Sequence, residues 1–299
     1  MEKRGVFVVT PEWAGERLDK FLVSSLKEYS RNKISRFLKD GKVKINGVKK
    51  KPGFKISEGD KIEIIFEVPE IILQPYDFNV KIIYEDRDVL VVDKPGGLTV
   101  HPPNAGFHRS LVNALIARGK QLSGVDSLRP GIVHRLDKET SGVMVLAKNI
   151  LSYEALVESF KKREVEKVYK ALVWGEIKKD KFSVNLPLAR DSRNRMKMKV
   201  SFLRAKNALT DITVEKRLRG ATFLGIELLT GRMHQIRVHL KFLGYPVVGD
   251  KKYGIKDNYK EMFLHSFRIA FKHPRTDKRL EFTASLPERF RKFMENYKN

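Results

Sequence analysis

The sequence predicts an α+β protein with a small basic α/β domain at the N-terminus and a larger domain built on a mainly antiparallel, mixed sheet. Three observations favour this fold class. The chain has 299 residues, 41% of them hydrophobic, which is enough for two separate cores. Apolar residues repeat at helical spacing near the N-terminus, whereas strand patterns outnumber helical ones farther along the chain. Many strands with few helices are typical of an α+β fold.

Residues 1–70 are predicted to form the N-terminal domain. A first helix is indicated by four apolar residues at helical spacing, Leu18, Phe21, Leu22 and Leu26. A second helix is expected between Ser30, which can cap it, and Gly41, which stops it. Asn46-Gly47 predicts a two-residue hairpin turn after a short strand, and Lys61–Phe66 predicts a further strand.

Residues 71–78 follow neither the helical nor the strand period and are predicted to be a linker, so that the second domain comprises residues 79–299. Its strands are expected at Lys81–Tyr84, Val89–Asp93, Gly142–Ala147, Lys167–Trp174, Thr210–Arg217 and Phe223–Thr230. Its helices are expected at Ser110–Arg118, at Leu151–Lys162 and after Gly231.

The charge of the chain favours a polyanionic partner. Lys and Arg number 60 against 36 Asp and Glu, which gives a net charge of +24 and makes nucleic acid the first expectation. No apolar run approaches the roughly 20 residues that span a membrane, so we expect no membrane partner and a cytoplasmic location. The absence of cysteine excludes thiolate catalysis, Cys-ligated zinc, iron–sulfur clusters and disulfides.

Two basic segments are candidates for contact with nucleic acid. Between Lys27 and Lys55 eleven Lys and Arg oppose only Glu28 and Asp40, an excess that favours binding over a merely solvated surface. The candidate residues there are Arg31, Lys33, Arg36, Lys44, Lys49 and Lys50. A second basic tract, at residues 190–199, includes Arg193 and Arg195 and is predicted to be an RNA-facing loop.

The N-terminal segment resembles a known RNA-binding domain. The similarity lies in Arg17-Leu18-Asp19, Ser30-Arg31 and Val43-x-Ile45-Asn46-Gly47, which match the small domain first known from ribosomal small-subunit protein four. The resemblance implies contacts to phosphates rather than reading of bases.

The segment Gly131–Gly142, with the sequence GIVHRLDKETSG, places Asp137 on a short loop before a buried strand. By spacing alone, an Asx-turn is the ordinary role for such an aspartate. The segment, however, resembles the HRLD-x-x-TSG motif of RNA pseudouridine synthases, in the branch that acts on large-subunit ribosomal RNA. The match runs position by position, and related segments follow in the family's order over nearly the whole chain.

The resemblance implies roles for individual residues. Asp137 is expected to be the catalytic carboxylate, and Tyr169 is expected to stack on the target base. Arg232 is expected to pair with Asp137. The family uses the Arg of HRLD, here Arg135, to fill the space that a flipped base leaves in the RNA, and Ile236 is expected to pack beside that base.

The implied reaction detaches uracil from ribose, turns it and rejoins it through carbon. Nothing is oxidised and no group is donated, so we expect no cofactor and no metal. Asp137 could attack the anomeric carbon, or it could act as a base on the neighbouring ribose carbon to give a glycal; the sequence leaves both routes open. His234 and His239 are five apart and lack the Glu of a zinc-binding helix, so no metal site is predicted.

The sequence also leaves alternatives to this function. The same enzyme class could act on transfer RNA, or the chain could be a non-catalytic RNA-binding factor in ribosome assembly. An RNA hydrolase using His101 or His134 would lack the expected grouping of nucleophile, base and orienting residue. Large-subunit ribosomal RNA is the favoured partner, because the basic N-terminal domain accompanies that branch, and we expect a monomer.

Overall fold

The computed structural model describes residues 2–26, 31–67, 73–104, 106–123 and 128–298. The chain divides into two compact units, Met1–Ile71 and Ile72–Asn299. Each unit has its own sheet and its own helices, which confirms the α+β class. In the described part of the chain no helix is both long and apolar enough to cross a membrane.

The N-terminal unit packs two helices on a small antiparallel sheet. Its elements are β1 (Glu2–Val8), α1 (Leu18–Ser25), α2 (Arg31–Lys39), β2 (Val43–Ile45), β3 (Val48–Lys49) and β4 (Lys61–Glu67), with a single 3-10 turn at Pro11–Trp13. The strand order is β1-β4-β2-β3. Asn46 and Gly47 both have positive φ angles, 49° and 81°, which a two-residue hairpin turn requires, so the predicted hairpin is confirmed.

The apolar residues predicted for this unit form its core. Leu18, Phe21 and Leu22 of α1 pack with Ile34 and Phe37 of α2 over the buried face of the sheet. Strand β1 was not predicted. Ser30, the predicted cap of α2, lies outside the described residues.

The larger unit contains the remaining elements in chain order. Its strands are β5 (Lys81–Glu85), β6 (Val89–Lys94), β7 (Ser141–Ala147), β8 (Glu166–Trp174), β9 (Lys181–Asn185), β10 (Leu188–Arg190), β11 (Met198–Val200), β12 (Leu209–Leu218), β13 (Ala221–Leu228), β14 (Leu264–Lys272) and β15 (Arg279–Thr283). Its helices are α3 (Leu111–Ala117), α4 (Ile150–Lys162), α5 (Gln235–Phe242) and α6 (Glu288–Asn296).

The main sheet has the order β5-β6-β7-β14-β8-β13-β12-β9, with β15 paired to β14. Among the described strands, β7 and β14 form the one parallel pair, and all other neighbours run antiparallel. Strand β14 therefore joins two halves of the sheet, β5-β6-β7 and β8-β13-β12-β9. Strands β10 and β11 pair separately as a hairpin.

Both faces of the main sheet are covered. On one face, α3 and α5 pack on Leu90, Met144 and Tyr169. On the other face, α4 packs on Val89 and Val143, and α6 packs on neighbouring strands β8 and β13. Burial on both faces explains why β6 and β7 are continuous apolar runs.

Some elements escaped the sequence analysis. Strands β9, β10, β11, β14 and β15 were not predicted, because they are short or lack a clear alternation of apolar and polar residues. Within the segment expected to be a linker, Leu73, Tyr76 and Phe78 pack against the core of the larger unit. The side chain of Asn113 also donates to the carbonyl of Gln74 at 2.6 Å. Residues 73–78 are thus packed on the larger unit, while Ile71 and Ile72 both lie outside the described residues.

Candidate active site

Asp137 lies on a short loop directly before β7. The loop is held at its start by Ile132, which forms a bridge with Leu146 of β7. At its end the N–H of Thr140 donates to the carbonyl of Asp137 at 3.1 Å and closes a turn. Leu136 is buried beside Asp137. The backbone is therefore fixed on both sides of the carboxylate.

The side chain of Lys94 supports this loop from below. Lys94 is fully buried at the end of β6, and its ammonium donates to the carbonyls of Pro95, Leu98 and Lys138 at 2.8, 2.9 and 3.0 Å. Burial lowers the pKa of Lys94 to about 7. Three acceptors match the three hydrogens of an ammonium group. Lys94 therefore ties Pro95 and Leu98, after β6, to Lys138, the residue that follows Asp137.

A rung of the sheet connects the loop of Asp137 to Tyr169. Ser266 of β14 lies opposite Gly142 of β7 on one side and opposite Tyr169 of β8 on the other. Gly142 has a φ of +115°, and a Cβ atom at this position would collide with the carbonyl oxygen of Ser266. The absence of a side chain at Gly142 thus lets the two halves of the sheet meet beside Asp137.

Arg237 is the cation that pairs with Asp137. Its Nη1 donates to Oδ2 of Asp137 at 2.8 Å, while its Nε and Nη2 donate to the two oxygens of Asp250 at 2.7 Å each. The side chain of Arg237 is 5% exposed and that of Asp250 is fully buried. Although burial raises the pKa of Asp250, Arg237 holds it below its usual value. Asp250 therefore fixes the guanidinium that serves Asp137.

The expected pairing of Arg232 with Asp137 is wrong. Nε of Arg232 donates to the carbonyl of Asn207 at 3.0 Å, and its backbone N–H donates to the side chain of Gln235. The turn between β13 and α5 directs Arg232 toward the chain before β12, whereas Arg237 is the third residue of α5 and faces the loop. Arg232 does line the cavity described below.

His234 and Tyr253 form a second group beside the carboxylate. His234 has a φ of 56°, a strained conformation of the kind found at active sites. Its Nδ1 lies 2.7 Å from the hydroxyl of Tyr253, which already accepts the N–H of Met198. The other ring nitrogen of His234, Nε2, lies 3.9 Å from Oδ1 of Asp137. Burial lowers the pKa of His234, and this effect outweighs the charge of Asp137, which acts in the opposite direction. The ring is therefore mainly neutral at pH 7.

A cavity of about 520 Å³ opens beside Asp137. It brings together five residues expected from the sequence, Arg135, Asp137, Tyr169, Arg232 and Ile236. The rest of its wall is mixed, with the apolar side chains of Leu136, Leu228 and Leu264 and the cations of Lys161, Arg163 and Lys167. Burial raises the pKa of Tyr169 to about 12, so its hydroxyl is neutral at pH 7. The cavity thus offers a carboxylate, an aromatic ring and several apolar side chains to one planar ligand.

The remaining predicted RNA-binding residues lie outside this cavity. Arg193 and Arg195 are exposed between β10 and β11, and Lys50 lies over the ring of Phe54. On the N-terminal unit Arg36, Lys44 and Lys49 are exposed. Arg31 and Lys33 belong to α2, but their side chains are outside the described part of the structure.

Several residues of the site were missed by the sequence analysis. Arg237, Asp250 and Tyr253 received no role, because Asp250 and Tyr253 come from a distant turn. A signal was available for Arg237, since it lies three residues after His234 and shares a helical face with it. The ring of His239 makes two hydrogen bonds, one with the hydroxyl of Thr210 and one with the backbone carbonyl of Leu186.

Comparison with known proteins identifies relatives of both units. A family model described as RNA pseudouridylate synthase matches residues 88–242, and one described as S4 domain matches residues 16–62. The chain is 41% identical over 291 residues to an uncharacterised RNA pseudouridine synthase of Bacillus subtilis, and the match covers 95% of each protein.

Two further matches extend the comparison. The chain is 35% identical to ribosomal large subunit pseudouridine synthase D of Neisseria meningitidis, with coverage of 96% of this chain and 80% of that protein. The solved structure of human RNA pseudouridylate synthase domain containing 1 matches with a TM-score of 0.59 and 28% identity, covering 72% of this chain and 86% of that one.

Proposed function

Because the chain belongs to the RNA pseudouridylate synthase family, it is an isomerase that forms pseudouridine in RNA, and we propose that its substrate is large-subunit ribosomal RNA. The names of relatives such as the Neisseria protein support this choice of substrate. The S4 domain matched at residues 16–62 supports RNA as the partner. If transfer RNA is the substrate and ribosomal RNA is not, the labelling experiment described below will show it.

The observation that carries the proposed mechanism is the placement of Asp137. Oδ2 of Asp137 accepts from Arg237, whereas Oδ1 lies 3.9 Å from the nearest nitrogen of His234. The side chain is 22% exposed at the cavity wall. One oxygen is thus held by the protein and the other is available to the ribose. We infer that Oδ1 meets the positive charge that develops at the anomeric carbon as the glycosidic bond breaks.

The cavity also suggests how uracil is held while it turns. We propose that the base lies against Tyr169 and Ile236, because a neutral aromatic ring and an apolar side chain permit rotation of a planar ligand. A phenol with a pKa of about 12 is a poor base at pH 7. Asp137 is the one carboxylate among the residues that line the cavity. We therefore propose that Asp137 accepts the proton that carbon 5 of uracil loses after this carbon has bonded to ribose.

Arg135 is the candidate for replacing the flipped base in the RNA. Its exposed side chain lies on the rim of the cavity, with Nη1 3.5 Å from a ring nitrogen of His101. Extruding a base from a stacked helix costs a few kcal/mol. A planar guanidinium inserted in the gap would offset part of that cost by stacking on the neighbouring bases.

The N-terminal unit is proposed to contribute phosphate contacts. Lys44 and Lys49 lie directly opposite each other in the β2-β3 hairpin, and both are exposed. Like charges in such a pair destabilise a hairpin. A polyanion bound across the pair would relieve that repulsion. We further propose that the enzyme acts as a monomer in the cytoplasm, where ribosomal RNA is found.

The test of this function is the substitution Asp137→Asn in the full-length protein. We expect it to abolish pseudouridine formation in large-subunit ribosomal RNA while RNA affinity stays close to that of the wild type, because the amide keeps the shape but loses the charge. Chemical labelling of pseudouridines in RNA from cells with and without the protein identifies the modified molecules.

Two outcomes would contradict the proposal. Turnover by purified Asp137→Asn above trace level would remove Asp137 from the catalytic role. Loss of pseudouridines from transfer RNA alone, in cells without the protein, would exclude ribosomal RNA as the substrate.

A further inference from the structure

A second cavity of about 600 Å³ lies on the other side of Asp137. It shares with the first cavity the residues Arg135, Leu136, Asp137, Met233, His234 and Arg237. Its remaining wall is rich in cations, because it includes Lys138, Lys197, Lys251 and Lys252 and only one further carboxylate, that of Glu139. The two cavities thus meet at the catalytic carboxylate. Lysine and arginine side chains line both, but Tyr169 and Ile236 line only the first.

We propose that the second cavity binds the RNA phosphates that flank the target uridine. The proposal rests on the function proposed above, which places the anomeric carbon at Asp137 and uracil against Tyr169. The sugar-phosphate chain must then leave Asp137 on the side away from the base. That side is the second cavity, where lysine side chains meet the phosphates.

The protein neutralises only some of the charges of this cavity, among them Lys251, whose Nζ lies 3.8 Å from Oδ1 of Asp257. Asp137 is engaged by Arg237, and Glu139 lies 4.0 Å from Lys138. Nζ of Lys252 donates to the carbonyl of Met196 at 3.2 Å, so its charge has no carboxylate partner among the described ion pairs. The described residues likewise show none for Lys197. Uncompensated cations in a concave wall attract anions more strongly than the same charges on a flat surface.

The lysines sit on a turn that the active site itself holds in place. Oδ1 of Asp250 accepts the backbone N–H groups of Lys252 and Tyr253 at 2.9 and 3.0 Å. The same carboxylate is bound by Arg237, which also donates to Asp137. One buried carboxylate thus fixes both the guanidinium at the catalytic loop and the turn that bears Lys251 and Lys252. A phosphate on those lysines would have a defined position relative to Asp137.

The experiment measures binding of full-length protein to a large-subunit ribosomal RNA transcript at several salt concentrations. The test variants are Lys251→Gln/Lys252→Gln and, separately, Lys197→Gln. The hydrogen bonds that shape the turn come from the backbone, so these substitutions preserve it. The matched control is Lys179→Gln/Lys181→Gln, which removes two exposed lysines outside both cavities.

We expect the slope of log K against log salt to become shallower by about 0.7 to 0.9 for each phosphate that a test variant no longer binds, and to change less in the control. A slope equal to that of the wild type, or an equal change in test and control variants, would overturn the proposal.

A second measurement tests whether the lysines contact a phosphate next to the target uridine. A neutral methylphosphonate linkage next to the target uridine should weaken binding by the wild type several-fold. It should weaken binding by Lys251→Gln/Lys252→Gln much less, because the two changes remove one interaction. Independent, additive losses would show that the lysines contact other phosphates and would overturn the proposal. Pseudouridine formation by the wild type is scored separately, so a wrong substrate is distinguished from a wrong phosphate site.

Discussion

At the scale of single residues, the role of Arg237 follows from the way its N–H groups are shared between two carboxylates. Two of its nitrogens bind Asp250 and one binds Asp137. A guanidinium held by two parallel hydrogen bonds cannot rotate freely, so the remaining N–H meets Asp137 in a fixed direction. Lysine carries the same charge on a flexible stem and cannot span both carboxylates in this geometry.

We therefore expect Arg237→Lys to lower the single-turnover rate at saturating RNA on the order of 100-fold, the cost of a misplaced catalytic group. Arg232→Lys is the matched control, because Arg232 lines the same cavity without contacting Asp137. Its rate should fall far less. Equal losses in both variants would show that the pairing of Arg237 with Asp137 has no special part in the reaction.

At the scale of secondary-structure elements, the parallel pairing of β7 with β14 determines how close the catalytic loop comes to Tyr169. Gly142 and Ser266 form the rung where the two strands meet, and their backbones approach too closely for any side chain at position 142. A substitution there would push β7 away from β14 or tilt the loop that carries Asp137.

We expect Gly142→Ala to reduce the free energy of unfolding by more than Gly220→Ala, with a difference of about 1–3 kcal/mol, the usual cost of overpacking. Gly220 also has a positive φ, 71°, but a Cβ atom there would meet open space. The control therefore has a positive φ without the collision. Urea denaturation of both variants measures the difference, and equal midpoints would contradict the close approach.

At the scale of the whole molecule, buried histidines make stability depend on pH. His134, next to the catalytic loop, accepts the N–H of Val145 at 3.1 Å and stacks on Phe160. Burial lowers its pKa to about 3, with a smaller contribution from the charge of Lys167. Above pH 6.5 neither the folded nor the unfolded chain protonates this ring, whereas between pH 6.5 and 3 only the unfolded chain does. Stability is therefore lost as the pH falls through this window.

We expect the free energy of unfolding of the wild type to decrease more steeply between pH 6.5 and 4 than that of His134→Gln, by up to about 1.4 kcal/mol per pH unit. The glutamine variant keeps all other titrating groups, so the difference isolates His134. Denaturant titrations at several pH values measure it. Parallel curves for the two proteins would show that His134 is protonated equally in both states.

The sequence predicted those structural features whose defining residues lie in one short segment. The loop of Asp137 and the strand of Tyr169 were both placed, because a turn before a buried strand and a period of two are local patterns. Arg232 was expected to pair with Asp137 because the family resemblance implied it, whereas the arginine that faces Asp137 depends on where α5 begins. Helix ends are set by tertiary contacts as much as by sequence.

Features built from distant segments could not be anticipated. The second cavity combines Lys197 from the β10-β11 region with Lys251 and Lys252 from a later turn. Strand β14 has Ser, Phe and Arg at its centre and no simple alternation, so its pairing is defined by neighbours from elsewhere in the chain. The secondary-structure propensity of a local segment does not indicate which distant segments it will contact.

The position of β14 in the chain has a consequence for biosynthesis. A ribosome that has translated as far as Lys260 has already made Asp137, Tyr169 and Arg237, yet it has not made the strand that joins the two halves of the sheet. The N-terminal unit can fold early, since its contacts are complete by residue 71. On the proposed function, the nascent enzyme can hold RNA before it can modify any, and its activity begins only after β14, Leu264–Lys272, has emerged.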